Sequence, residues 1–137
     1  RTNLERNFQL KSEQALCGSH GDLCFSNMLI SCEELKLVDP RGGLTYQSYL
    51  IPLEYDLAKI SQCVMSNYDG ILNGVNPNFS AQKLYFSNWI NGLGFSFKEI
   101  RLYEACHLMS LIPLHSEDPL LYSQFIKASY EALRSYN

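Results

Sequence analysis

The sequence predicts a single, mainly helical α+β domain with one small β-hairpin near its amino-terminal end. Apolar residues recur at three- and four-residue steps through much of the chain after residue 52, as in amphipathic helices. Two short apolar runs before residue 40 flank a polar turn, as in a hairpin. A chain of 137 residues, 46% of them hydrophobic, has the size and apolar content of one domain with a core. We therefore interpret residues 1–137 as one domain.

The first predicted element is a short helix from residue 3 to about residue 14. Thr2 and Glu5 have the spacing of a capping box, in which a hydroxyl and a carboxylate satisfy the first backbone N–H groups. Gly18 ends this segment, since glycine is a common breaker of helical patterns.

The hairpin is predicted between Asn27 and Asp39. Residues 28–30 and 35–38 are apolar runs separated by the polar residues 31–34. Asp39 is followed by Pro40, which cannot continue a hydrogen-bonded strand.

Two helices are predicted for the middle of the chain. Pro52 lies where a helix can begin, and residues 53–69 carry apolar side chains at helical spacing. The second helix covers residues 79–90, although Leu84 and Phe86 also alternate as they would in a strand. The apolar faces contain Leu57, Ile60, Val64, Tyr68 and Ile71 in the first helix, and Leu84, Trp89 and Leu93 at the second.

Two longer helices are predicted to close the chain. Ser96 and Glu99 form a second capping box, and Asp118 with Pro119 is a typical helix start. The apolar faces contain Ile100, Tyr103, His107 and Leu111 in the first of these helices, and Leu121, Phe125, Ala128, Ala132 and Tyr136 in the second.

The charge balance and cysteine content exclude several classes of partner. The net charge of −3 argues against nucleic acid or an anionic membrane as a partner. Five cysteines without a C-x-x-C pair indicate neither a disulfide framework nor a zinc site, and free thiols favour a reducing compartment. No apolar run approaches the roughly 18 residues of a membrane span. We expect a cytoplasmic protein.

The segment HGDLCFSN, residues 20–27, carries the chemistry that the sequence suggests. Asp22 precedes Asn27 by five residues, and the hairpin then leads to Asp39. A loop aspartate can accept the proton of an attacking hydroxyl, while an asparagine and a second aspartate offer oxygen ligands to magnesium ions on nucleotide phosphates. Protein kinases share this order of base, asparagine and metal-binding aspartate, with an arginine where this chain has Gly21.

These residues, with the later segment EYDLA at 54–58, resemble the aminoglycoside phosphotransferase and choline kinase family of small-molecule kinases. The segments HGDLCFSN, VDPRGG and YDLAK are most similar to phosphotransferases of bacterial surface-polysaccharide gene clusters. The similarity covers residues 16 to about 60, while residues 70–137 match only in being helical. It implies the carboxy-terminal catalytic lobe of a protein-kinase-like fold.

The resemblance also implies a role for each residue. Asp22 is the catalytic base, and Asn27 and Asp39 hold Mg²⁺. Asp56 would accept backbone N–H bonds from the catalytic loop. For His20 the residue type favours structural support of that loop, and the alternative is an acid or base. The donor is ATP or GTP, and the acceptor is a hydroxyl on a small molecule such as a sugar, an amino-alcohol or an aminoglycoside-like compound.

The sequence departs from the family in two places. Pro40 and Arg41 follow Asp39, where many relatives have an aromatic residue and an acid. Arg41 is a candidate contact for a phosphate or an anionic acceptor, and the alternative is a solvated surface charge. No Gly-rich loop or strand lysine precedes residue 20, so the nucleotide-binding amino-terminal lobe is absent from this chain. Charged residues make up only 18%, and we expect that lobe or a dimer partner to cover an exposed apolar face.

Two other functions are compatible with the same residues. The first is a kinase-derived, non-catalytic binding or scaffold module that has lost its amino-terminal lobe. An upstream reading frame with a Gly-rich loop favours the kinase, whereas an initiator Met near residue 1 favours the module. The second is a metal-dependent phosphohydrolase that uses Asp22 and Asp39, although it lacks the further His or Asp ligands of a two-metal site.

Overall fold

A computed structural model describes residues 16–41 and 50–136, which form two small antiparallel sheets and five α-helices. The strands are β1 (Leu16–Gly18), β2 (Met28–Ile30), β3 (Leu35–Leu37) and β4 (Leu50–Pro52), and the helices are α1 (Leu53–Val64), α2 (Tyr68–Asn73), α3 (Ser80–Gly92), α4 (Phe97–Leu111) and α5 (Pro119–Arg134), with short 3₁₀ turns at Phe25–Asn27 and Pro113–His115. The predicted α+β, mainly helical class is confirmed. The helix predicted at residues 3–14 lies outside the described residues.

The predicted hairpin is formed by β2 and β3. Met28 pairs with Leu37 and Ile30 pairs with Leu35 in antiparallel register. A second pair, β1 with β4, was not predicted, because strands of three residues are too short to show alternation. Its register places Leu16 opposite Pro52 and Gly18 opposite Leu50, so the end of β1 lies beside the start of β4.

The core lies between the helices, and α4 contributes to both of its apolar clusters. The first cluster joins α1, α3 and the start of α4, and the second joins the remainder of α4 to α5. Their buried members are Leu57, Ala58, Val64, Phe86, Ile90 and Ile100 in the first, and Ala105, Leu108, Phe125, Ala128 and Ala132 in the second. The helices are therefore packed together around α4.

The helix predicted at 53–69 is divided in the structure, so that prediction was wrong at its carboxyl end. The helix α1 ends at Val64, and Asn67 has a left-handed backbone with φ of 56° before α2 begins. The Asn67 side chain donates a hydrogen bond to the carbonyl of Val75 at 3.1 Å, which stabilises the turn. Tyr68 and Ile71 pack against the second cluster, whereas Leu57 and Val64, with which they were predicted to share a face, lie in the first.

The remaining helices agree with the predictions in position but not in every detail. The core face of α3 is formed by Phe86 and Ile90. The predicted face was wrong, because Leu84, Trp89 and Leu93 are all exposed. Asp118 caps α5 by accepting bonds from the backbone N–H groups of Leu120 and Leu121. Ser96 lies at the start of α4, but its side chain makes no capping bond.

Candidate active site

The loop that follows β1 is attached to helix α1 by the carboxylate of Asp56. Ser19 Oγ and the backbone N–H of His20 donate to Oδ2 at 2.7 and 2.8 Å, and the backbone N–H of Gly21 donates to Oδ1 at 2.9 Å. Asp56 is buried in the first turn of α1. These are the contacts that the resemblance implies for Asp56. Bonds to a charged acceptor are stronger than neutral ones, so this loop has a firm support.

Gly21 lies where the loop meets the segment that follows β3. Its φ is 77°, and a Cβ atom built there would lie 2.1 Å from the carbonyl oxygen of Arg41. The backbone N–H of Arg41 also donates to the carbonyl of His20 at 2.8 Å. Any residue other than glycine would force the two segments apart.

Asn27 connects the loop to the base of the hairpin. Its amide nitrogen donates to the Asp22 carbonyl at 2.8 Å and lies 3.5 Å from the Asp22 carboxylate oxygen Oδ2. The backbone carbonyl of Asn27 accepts a hydrogen bond from the backbone N–H of Val38 at 3.0 Å. Asn27 is buried, so the separation of five residues from Asp22 gives a direct contact between them.

Asp39 follows Val38 directly and is exposed. Its φ of 55° is left-handed, a conformation that aspartate adopts more readily than most residues because its side chain can bond locally. Since Val38 is bonded to Asn27, Asp39 lies one residue beyond the end of the hairpin at which Asp22 and Asn27 meet. Across residues 16–41 and 50–136, no group of three His, Cys, Asp or Glu side chains forms a metal cluster.

Two cations contact the Asp22 carboxylate, one on each oxygen. Lys59 Nζ is 3.0 Å from Oδ1, and Arg41 Nε is 3.1 Å from Oδ2. The Lys59 side chain is only 13% exposed, whereas that of Arg41 is 72% exposed. Arg41 therefore pairs with Asp22 instead of being a lone surface charge. Sequence reasoning missed Lys59, although its position three residues after Asp56 puts both on one face of α1.

His20 links the loop to the hairpin through its ring. Nε2 lies 3.0 Å from the carbonyl oxygen of Val38, while Nδ1 is buried without a hydrogen-bond partner. The ring and the backbone N–H of His20 thus contact two different elements, in keeping with a structural role.

His107, on α4, contacts Tyr55 and lies close to Lys59 on α1. Its Nε2 is 3.3 Å from the Tyr55 carbonyl oxygen, and the two rings make an edge contact with centroids 4.3 Å apart. Burial, followed by the charge of Lys59, lowers the pKa of His107 from 6.5 to about 4. The imidazole is therefore neutral at physiological pH.

Comparison with known proteins adds no assignment. No protein-family model, curated protein or solved structure matches this chain. In the ranges that the structure describes, none of the helices has the length and apolar character needed to cross a membrane.

Proposed function

We propose that this chain is the carboxy-terminal catalytic lobe of a cytoplasmic small-molecule kinase of the aminoglycoside phosphotransferase and choline kinase type. It transfers the γ-phosphoryl group of ATP or GTP to a hydroxyl on a sugar, an amino-alcohol or an aminoglycoside-like acceptor. The observation that carries this proposal is the junction at the hairpin base, where Asn27 bonds both Asp22 and Val38, beside Asp39. Phosphoryl transfer depends mainly on such positioning, so few side chains suffice.

Asp22 acts as the general base in this proposal. One carboxylate oxygen takes the proton of the acceptor hydroxyl as that oxygen attacks phosphorus. Oδ2 is suited to this step because its partner, Arg41, is exposed and can be displaced at little cost. Released from Asp22, the Arg41 guanidinium is available to a phosphate oxygen, which is the role suggested for it by the sequence.

Asn27 and Asp39 would hold Mg²⁺, which neutralises phosphate charge when it is bound. The amide nitrogen of Asn27 is already committed to Asp22, so its amide oxygen is the atom that remains for a cation. Asp39 supplies an exposed carboxylate one residue after Val38, whose N–H is bonded to Asn27. Proteins commonly bind Mg²⁺ with one or two carboxylates and complete its shell with substrate phosphates and water, so a third protein carboxylate is not required.

The hairpin supports the presence of a second lobe. Ile30, Leu35 and Leu37 are 81%, 60% and 49% exposed. Ile30 and Leu35 are directly paired, and Leu37 lies on the same face because side chains alternate along a strand. We propose that this apolar face is covered by the nucleotide-binding lobe of the complete protein, which leaves the phosphates close to Asp39.

The test compares Asp22→Asn and Asp39→Asn in the full-length protein with MgATP and MgGTP. We expect Asp22→Asn to lower turnover a hundredfold or more, the order of magnitude of a general base, and to keep the nucleotide-dependent rise in melting temperature. Asp39→Asn should lose that magnesium-dependent rise, which at 100 times the dissociation constant corresponds to about 2.7 kcal/mol.

Glu117→Gln is the control, since it removes one exposed acid outside the site. Normal turnover in Asp22→Asn would contradict the kinase assignment. A wild-type protein with neither turnover nor a nucleotide-dependent shift would instead favour the non-catalytic binding module.

A further inference from the structure

Helix α1 contacts the loop at two separate points. Asp56 binds the loop backbone at His20 and Gly21, while Lys59 binds the carboxylate of Asp22. Residues three apart lie on the same side of a helix, so a single rigid element holds both the path of the loop and the side chain at its tip.

Lys59 is held in this place by its surroundings. A cation that is largely removed from water is costly unless it is paired, and the partner that the structure provides is Asp22 Oδ1 at 3.0 Å. His107 lies close enough for its pKa to be lowered by the charge of Lys59, and it is neutral at physiological pH. Burial and pairing therefore hold Lys59 beside one oxygen of Asp22.

Arg41 contacts Asp22 at nearly the same distance as Lys59 but differs from it in exposure to solvent. Its side chain is 72% exposed, so its attraction to Asp22 is weakened by solvent and by the entropy lost in ordering a long side chain. When Arg41 leaves, Oδ2 keeps only the long 3.5 Å contact with the Asn27 amide nitrogen, while Oδ1 remains bound to Lys59 at 3.0 Å. The two oxygens of Asp22 are thus not equivalent.

We infer that Lys59 is a positioning residue, which holds Oδ1 of Asp22 so that Oδ2 faces the acceptor hydroxyl. This inference rests on the proposed phosphotransferase function. In the step concerned, the hydroxyl O–H bond breaks and its proton passes to Oδ2, while the hydroxyl oxygen bonds the γ-phosphorus. The bond from that phosphorus to the β–γ bridging oxygen breaks, and the nucleoside diphosphate leaves with the electron pair.

The experiment uses the full-length protein with Lys59→Met, Lys59→Arg, Asp22→Asn and the double variant of Lys59→Met with Asp22→Asn. Turnover of MgATP and MgGTP is measured with water as the acceptor. We expect Lys59→Met to lower kcat about a hundredfold, the loss typical of a reacting group displaced by about 1 Å, with KM for the nucleotide unchanged. Lys59→Arg should recover part of the loss. In the Asp22→Asn background, Lys59→Met should have no further effect.

Lys127→Met is the matched control, because Lys127 lies in an exposed pair with Glu131 on α5. It should leave kcat unchanged. The positioning role would be overturned if Lys59→Met had the same turnover as the wild type or changed KM alone. It would also be overturned if Lys59→Met lowered kcat equally in the Asp22→Asn background.

Thermal unfolding of the same four variants and the wild type separates this inference from the proposed function. If Lys59 and Asp22 are paired, Lys59→Met lowers the melting temperature more in the wild-type background than in Asp22→Asn. If the melting temperatures show this coupling but the wild type transfers phosphate neither to water nor to sugar and amino-alcohol acceptors, the phosphotransferase function is overturned and the contact between Lys59 and Asp22 is retained. Equal shifts in both backgrounds would overturn the inference even in an active enzyme.

Discussion

The loop and hairpin at residues 16–41 and the helices α1–α5 are stabilised in different ways. Within residues 16–41, only Cys24 and Asn27 are buried, and the apolar side chains of the hairpin face solvent. The helices bury two apolar clusters and a charged group, Glu104, which accepts bonds from Arg101, Ser61 and Ser66.

This difference indicates that the two regions contribute to folding in different ways. Burial of apolar area is a large and non-directional contribution, so the helices supply most of the free energy of folding. Hydrogen bonds add less net free energy but require defined geometry, so they fix the loop in position. Substitutions in the helices should therefore change stability, and those in the loop should change turnover. Asp56 and Lys59 are the exceptions, because both lie on α1 and contact the loop.

The largest effect should follow a cavity in the helical region. Phe125 is fully buried in the second cluster, so Phe125→Ala should lower the free energy of unfolding by about 3–5 kcal/mol. Urea denaturation measures this loss. The neighbouring change Ile126→Ala, at a residue 41% exposed, should cost much less. Equal losses would contradict the assignment of the core face of α5.

The pH dependence of the free energy of unfolding should show that buried His107 contributes to the stability of the helical region. Because burial lowers its folded pKa to about 4, the unfolded chain binds the proton first as the pH falls. The contribution of the neutral imidazole to the free energy of unfolding is fully present above pH 6.5. It is lost as the pH falls towards 4, and the total loss is about 3 kcal/mol. Urea denaturation across this range should show a smaller acid loss in His107→Gln.

The control for this titration is His115→Gln, which keeps His107 and should keep the acid loss. An unchanged pH dependence in His107→Gln would show that its imidazole is not held neutral.

Asp56→Asn should affect both regions, because Asp56 joins them. The amide has one acceptor oxygen in place of two and directs N–H groups at the loop donors, so we expect a loss of about 2 kcal/mol and a fall in turnover. Chemical denaturation and a kinase assay on one preparation measure both effects. Asp118→Asn is the matched control, since asparagine also caps helices well. Unaltered turnover in Asp56→Asn would show that turnover does not depend on the contact between the loop and α1.

Gly21→Ala should change stability about as much as Asp56→Asn does, and its effect on turnover should be large. Its left-handed φ and the close approach of the Arg41 carbonyl together cost on the order of 1–3 kcal/mol and displace Asp22. Gly94→Ala has a similar φ of 86° but no atom within 4 Å, so it should show the conformational cost alone and normal turnover. Equal turnover in the two variants would mean that the contact with Arg41 is unimportant.

Sequence reasoning succeeded where the relevant signal is local. The hairpin was predicted from two apolar runs and a polar turn, and the start of α5 from Asp118 and Pro119. It was less successful for α3, where the helix was found but Leu84 and Leu93 were placed on the wrong face. A weak apolar pattern does not define which side of a helix meets its neighbours, because that choice depends on the packing partner.

The sequence by itself determined the α+β class, most helix positions and the candidate residues Asp22, Asn27 and Asp39, because these depend on spacing along the chain. Only the tertiary structure decided that β1 pairs with β4, and that Lys59 and Arg41 share the carboxylate of Asp22. The contacts of β4 with β1 and of Lys59 with Asp22 join residues more than 30 positions apart. His20 and Asp56, which are also in contact, are separated by 36 residues. Local propensity carries no information about such pairs, since they form only when the loop packs against α1.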